Sequence, residues 1–204
     1  MKNSKLQKYI EHERNTATSC SIKELNPKDK TVLDFGCSGG QYAKLFLQQD
    51  AFYVHCYDFF KEPLEFAKEY LKDYKNQVIT NNIDTIPNNS IDIFFARLSL
   101  PYINIYDFFK EVDKKVKLGG LVYIRYHSFS FYRKYFLKNP IRSVVGLTNY
   151  SLMSMCKKSI KIKIKNYLFN DIIYTKDSFA KFKNYSEISF EKSEAPIIIL
   201  KRIN

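Results

Sequence analysis

The run Thr31-Val32-Leu33-Asp34-Phe35-Gly36-Cys37-Ser38-Gly39-Gly40 constrains this chain more than any other stretch. Val32, Leu33 and Phe35 predict a buried strand, the glycines predict a tight turn, and Gln41 to Leu47 predict a helix. Such a turn accepts positive φ and lets a ligand approach with no Cβ in the way. The helix behind it offers unpaired N–H groups at its start. Asp34, at the strand end, sets the sign of the ligand. Its carboxylate repels a pyrophosphate and attracts an ammonium group.

The spacing separates two kinds of nucleotide turn. A dinucleotide fingerprint needs G-x-G-x-x-G. Here Ser38 stands two residues after Gly36 and Gln41 five after it, so that pattern fails twice. The pattern D-x-G-x-(G/S)-x-G fits at Asp34, Gly36, Ser38 and Gly40. This resembles motif I of the class I S-adenosylmethionine-dependent methyltransferases, in their small-molecule, type 11-like branch. The resemblance implies that the turn passes under the cofactor and that Asp34 sits near its methionine amino group. Ser38 replaces the usual middle glycine.

Further motifs follow in family order. Ala51 to Tyr57 predict a second strand ending in Asp58, 24 residues after Asp34. A carboxylate there can accept both ribose hydroxyls, and a Rossmann sheet places such a residue about 20 positions on. The bland role, a strand-end cap, stands beside it. Phe59 to Ala67 is similar to the family's D-x-S-x-x-x-L-x-x-A pattern, with Leu64 and Ala67 in place, and its helix is expected to start near Pro63 and run to about Lys75. Asn81 to Pro87 resembles the family's D-A-x-x-L-P loop, which implies that Asn82, in the usual aspartate place, and Ile83 face the adenine, with Asp84 as the fallback. Ser90-Ile91-Asp92 precedes a fourth strand that leaves through Ala96 and Arg97. A helix over Tyr106 to Val116 is closed by Lys117-Leu118-Gly119-Gly120, which resembles L-K-P-G-G, and Leu121 to Tyr126 is a fifth strand.

The implied fold is α/β: a Rossmann-like, seven-stranded, mostly parallel sheet with helices on both faces and an inserted cap after strand five. One domain over 1–204 is expected. It comprises an N-terminal helical cap (1–27), a cofactor-binding core (28–127), a basic, aromatic cap (128–165), and a closing helix and strands (166–204). Within the N-terminal cap, Ser21 is placed to cap a short helix with Glu24. His12, Glu13 and Arg14 either line the cleft or form an exposed polar face. Implied cofactor contacts are Asp34, Gly36, Ser38, Gly40, Asp58, Phe59, Asn82, Ile83, Ala96 and Arg97, and the cofactor is S-adenosyl-L-methionine.

Composition narrows the class. No run of about 18 apolar residues predicts a spanning helix, and no apolar stretch follows Met1-Lys2-Asn3-Ser4-Lys5 as in a signal peptide. Cys20, Cys37, Cys56 and Cys156 form no C-x-x-C pair, and the three histidines lie far apart. A cytoplasmic protein with reduced thiols and no metal is expected. The net charge of +12 is uneven. Residues 128–183 hold 12 Lys/Arg against 2 Asp/Glu, whereas residues 1–127 hold 18 against 16. Clustering of this kind points to an acidic partner.

The acceptor is less constrained. No (N/D)-P-P-(Y/F/W) follows the fourth strand and no Pro-Cys pair occurs, which counts against methylation of base nitrogens and of cytosine C5. His127, just past strand five, is the candidate general base or a positioning histidine. Tyr102, Tyr126 and Arg97 are placed at the same mouth. Phe129, Phe131, Tyr132, Tyr135 and Phe136 alternate with Arg133, Lys134 and Lys138, a run that Pro140 and Gly146 break. Ser159 to Lys165 then alternates Ile with Lys as a strand does. This stretch suits a phosphate-bearing small molecule, an anionic membrane surface or, less well, RNA; a solvated basic lid is the bland alternative. The expected reaction is O-methylation of a sugar in a polysaccharide or nucleotide-sugar pathway. The alternatives are an RNA methyltransferase and a non-catalytic, cofactor-binding partner subunit.

Overall fold

The computed structural model describes residues 4–17, 22–100, 103–134, 136–138, 140–156, 162–164, 167–169, 176–193 and 195–204. In chain order the elements are α1 (Ser4–Thr16), β1 (Thr31–Phe35), α2 (Gln41–Gln48), β2 (Tyr53–Tyr57), α3 (Lys61–Tyr70), β3 (Gln77–Thr80) and β4 (Ile91–Arg97). Then come α4 (Ile105–Lys115), β5 (Val116–Arg125), α5 (Phe129–Lys134), α6 (Pro140–Cys156), β6 (Ile162–Ile164) and β7 (Tyr167–Phe169). The chain closes with α7 (Lys176–Phe179), β8 (Tyr185–Glu191) and β9 (Ile197–Arg202). Short helical turns occupy Lys23–Leu25 and Ile83–Thr85.

Seven strands form one sheet in the order β3-β2-β1-β4-β5-β9-β8, and β6 pairs with β7 separately. β1 runs parallel to β2 and β4, and β2 parallel to β3. β8 and β9 are antiparallel. This is the expected mostly parallel α/β sheet, with one antiparallel pair at its edge. The order reverses between β1 and β4, the crevice where open α/β sheets take their ligands.

The chain resolves into two compact units, Met1–Phe95 with Lys115–Val122 and Ala96–Lys114 with Tyr123–Asn204. In the first, Val32, Leu33, Val54 and Phe94 have no exposed surface. Successive strand residues face opposite ways, and both faces are covered by rings. Phe94 meets Phe35, centroids 5.2 Å apart, while Phe95 meets Tyr42 and Phe46 of α2, each at 5.1 Å. In the second unit, Phe109 of α4 stacks on Phe182 at 3.8 Å. Tyr185 of β8 donates to Asp113 Oδ1 at 2.5 Å, and Arg202 of β9 donates to the Asp113 carbonyl at 2.8 Å. The closing strands are thus tied to α4.

Several boundaries differ from expectation. α3 stops at Tyr70, short of Lys75, because Leu71 leaves helical geometry and turns fully buried. Strand geometry begins at Tyr53; Ala51 makes only an isolated bridge to Lys28. Residues 117–120 do not form a loop after α4 but belong to β5, which starts at Val116 and bends at Gly119 (φ 81°). Neither Pro140 nor Gly146 breaks structure. Pro140 opens α6, where a missing N–H leaves no helical bond unmade, and Gly146 lies buried inside that 17-residue helix. α7 ends at Phe179. Ser21, Tyr102 and Tyr135, and the outer parts of the 159–165 stretch, lie outside the described residues. No described helix is long and apolar enough to cross a membrane.

Candidate active site

The glycine turn is built from backbone hydrogen bonds. The Tyr57 carbonyl, at the end of β2, accepts from both Gly36 N–H (2.8 Å) and Cys37 N–H (2.9 Å). Gly40 N–H then returns to the Cys37 carbonyl at 2.9 Å and opens α2. Gly36 and Gly40 take φ of 81° and 82°. A Cβ on Gly40 would also press Leu71 and Ala67 at 3.1 and 3.3 Å, so the turn, α2 and α3 close on that one position. Ser38 adopts φ 49° as well, in the left-handed region that favours glycine.

Two carboxylates flank the turn. Asp34 is 3% exposed and Asp58 8% exposed. Asp58 Oδ2 accepts from Ser38 N–H at 2.9 Å, and its Oδ1 accepts from Phe60 N–H at 3.0 Å, at the head of α3. It is therefore a cap and a brace for the glycine turn at once. Each carboxylate oxygen keeps a second lone pair for a ligand hydroxyl. Burial pushes the Asp58 carboxyl above the ordinary carboxylate value, and the N–H bonds from Phe60 and Ser38 pull partway back.

The rest of this unit's predicted set follows the strand ends. Phe59 is 42% exposed and sits edge-on to Phe35 and Tyr57. Asn82 caps the turn over Ile83–Thr85, its Oδ1 accepting from Asp84 N–H at 3.0 Å. The carbonyl oxygen the sequence assigns to a ligand thus already holds a backbone N–H, with one lone pair remaining. Asp84 is exposed.

Two contributors were missed from sequence. Gln41, the first residue of α2, is 6% exposed, and its Oε1 is buried with no partner among the described residues. Its polar side chain directly behind the glycines was the available signal. Arg14 is half-buried. Its guanidinium donates to the Gly39 carbonyl and the Phe66 carbonyl, each at 2.9 Å, and lies over the Tyr70 ring at 3.8 Å. Ile10, on the same helix, is fully buried; a Cβ on Gly39 would meet its Cγ2 at 2.4 Å. No local motif announces these long-range bonds. Cys37 is buried beside Cys56, and burial together with their thiol contact pushes the Cys37 thiol well up, leaving it inert.

Ala96, Arg97 and His127 belong to the second unit. Ala96 is buried and Arg97 half-buried. Leu98 N–H donates to the Arg125 carbonyl at 2.8 Å, which draws the ends of β4 and β5 together within that unit. His127 is half-buried and stacks on Phe131 at 3.9 Å. Tyr126 does not line a mouth; it is 1% exposed and packs against Phe179.

The first unit's ligand-facing groups test the cofactor on chemistry. Asp34, Asp58 and the orphaned Gln41 Oε1 are acceptors, clustered at a glycine turn. That set suits a ligand rich in donors, an ammonium and a ribose diol, and opposes a pyrophosphate. S-adenosylmethionine fits it.

The seven-stranded sheet and its glycine turn form a class I, methyltransferase-like α/β fold. Residues 33–124 match the family model described as a methyltransferase domain. Solved structures share the fold. An S-adenosylmethionine-dependent methyltransferase of Aquifex aeolicus aligns with TM-score 0.66 and 15% identity, over 98% of each chain. Another from Mesorhizobium loti aligns with TM-score 0.64 and 11% identity, over 93% of this chain and all of that one. At such identities the likeness is one of fold. No curated protein sequence matches this one significantly.

Proposed function

We propose that this chain transfers a methyl group from S-adenosylmethionine to a hydroxyl of a sugar carried on a phosphate-bearing acceptor. The two buried carboxylates beside the glycine turn, Asp34 and Asp58, carry the donor half of this reading. The acceptor half rests on the excess of 12 Lys/Arg over 2 Asp/Glu in residues 128–183. An anionic substrate suits that charge.

When bound, S-adenosylmethionine supplies a methyl group on a sulfonium leaving group. Asp34 holds the amino group by charge, and Asp58 accepts from the ribose hydroxyls. Asn82 and the Ile83 backbone are assigned to the adenine. His127 is assigned the acceptor's hydroxyl proton, which leaves as the new C–O bond forms. Alignment of the acceptor oxygen with the S–CH₃ bond supplies much of the barrier reduction in such a transfer.

Calorimetry of S-adenosylmethionine and S-adenosylhomocysteine binding tests the donor half. Micromolar affinity, lost in Asp58→Ala, is the expected result; no binding by folded wild-type protein sinks it. A screen of nucleotide sugars, lipid-linked sugars and RNA tests the acceptor half. Methyl incorporation into RNA alone refutes the sugar assignment. Unchanged turnover in His127→Ala removes the base.

A further inference from the structure

We infer that the α5–α6 segment of the second unit is a docking surface for an anionic lipid bilayer. The inference stands apart from the methyl-transfer reading. α6 carries one charged residue, Arg142, among 17. At 100° per residue, Ile141, Val144, Leu147 and Met155 fall within about a third of its circumference, an arc they share with the small polar residues Thr148 and Ser151. They are exposed by 42, 52, 37 and 84%. The opposite side carries Val145, Gly146 and Asn149, all buried. Leu137, in the turn between the helices, is 93% exposed.

An apolar helix face turned to water needs a reason, since contiguous exposed apolar surface marks an interaction site. Beside it lies a cavity of about 320 Å³, lined by Tyr132, Arg133, Phe136, Leu137, Ser143 and Leu147. Charge names the occupant. Arg133, Lys134 and Lys138 are exposed at the same end of the segment, inside the stretch with a balance of +10. An apolar face flanked by basic residues matches a membrane whose surface is anionic and whose interior is hydrocarbon. A neutral protein surface uses only the first half of that match, and RNA only the second.

The test is co-sedimentation of the full-length chain with sucrose-loaded vesicles, either phosphatidylglycerol mixed with phosphatidylcholine or phosphatidylcholine alone. Binding to the anionic vesicles is expected, and each step of Lys134→Gln and Lys138→Gln lowers the partition coefficient roughly fivefold. Leu137→Ser with Val144→Ser lowers it about tenfold or more, while thermal unfolding and S-adenosylmethionine binding stay as in wild type. Sedimentation unchanged in that apolar double variant overturns the proposal. So does equal binding to neutral vesicles, or failure to sediment with the anionic ones. Two other results overturn it by naming another occupant. One is a stable dimer that Leu137→Ser separates; the other is binding of single-stranded RNA with no vesicle binding.

Discussion

Ser38 holds a left-handed backbone at φ 49° where its relatives' pattern calls for glycine. That geometry costs a non-glycine residue ~1–2 kcal/mol, and glycine's greater chain entropy returns ~0.5–1 kcal/mol of it. Ser38→Gly is therefore expected to stabilise the protein by about 0.5–1 kcal/mol in urea denaturation, with cofactor affinity kept. Asp58 has a different vulnerability. Its ionised carboxylate is the group assigned to the ribose hydroxyls, and burial raises its pKa. Protonation removes acceptance as pH falls, so cofactor affinity begins to drop at a higher pH than an ordinary aspartate would dictate. Calorimetry between neutral and mildly acidic pH checks this against the folded fraction. Asp58→Ala loses two charge-assisted bonds of ~1.5–3 kcal/mol each, so affinity falls by roughly a hundredfold or more, which removes micromolar binding from the isothermal titration.

At the scale of elements, α1 rests on the glycine turn. Arg14 joins two carbonyls from separate elements, Gly39 of the turn and Phe66 of α3. Arg14→Ala is expected to destabilise by about 2–3 kcal/mol, from charged hydrogen bonds and the ring contact, as read by chemical denaturation. Gly39→Ala drives a methyl into Ile10 at 2.4 Å. Overpacking costs ~1–3 kcal/mol, and Ile10→Ala in the same chain should recover part of it. A double-mutant cycle measures the coupling, and additive effects would show that α1 does not sit there. The cofactor half of the molecule was legible because its signals are local: Val32, Leu33 and Phe35 alternate with Asp34, and Asp58 stands at the expected interval. α6 was not legible. Its polar residues, Arg142, Ser143, Thr148, Asn149 and Ser151 among them, fall on several sides and a glycine stands near its centre, so period and breaker rules gave no helical signal. The route of Arg14 to Gly39 was equally hidden, since 25 residues separate them.

Across the whole molecule, titration sets the acid limit. His55 of β2 is 8% exposed, and burial, then the nearby Lys115 charge, lowers its pKa below 6.5. Lys115 cannot move away: its ammonium donates to the Ile86 carbonyl at 2.6 Å and to Asn88 Oδ1 at 2.9 Å. With the folded pKa depressed, the unfolded chain takes up the proton first. Stability is full above pH 6.5 and is lost as pH falls toward the folded value. His55→Gln should flatten that part of a stability-against-pH curve from urea titrations; a slope identical to wild type would assign the loss elsewhere.

The contact between α1 and Gly39 also has a consequence for measured affinity. Residues 4–16 meet the turn through the buried Ile10 and through Arg14. Where a ligand binds only with α1 docked, the dissociation constant that an assay reads is the intrinsic one divided by the docked fraction. Linkage then predicts slower amide exchange across Tyr9 to Arg14 once the ligand is bound, and exchange that the ligand leaves unchanged would show that α1 and the turn are uncoupled.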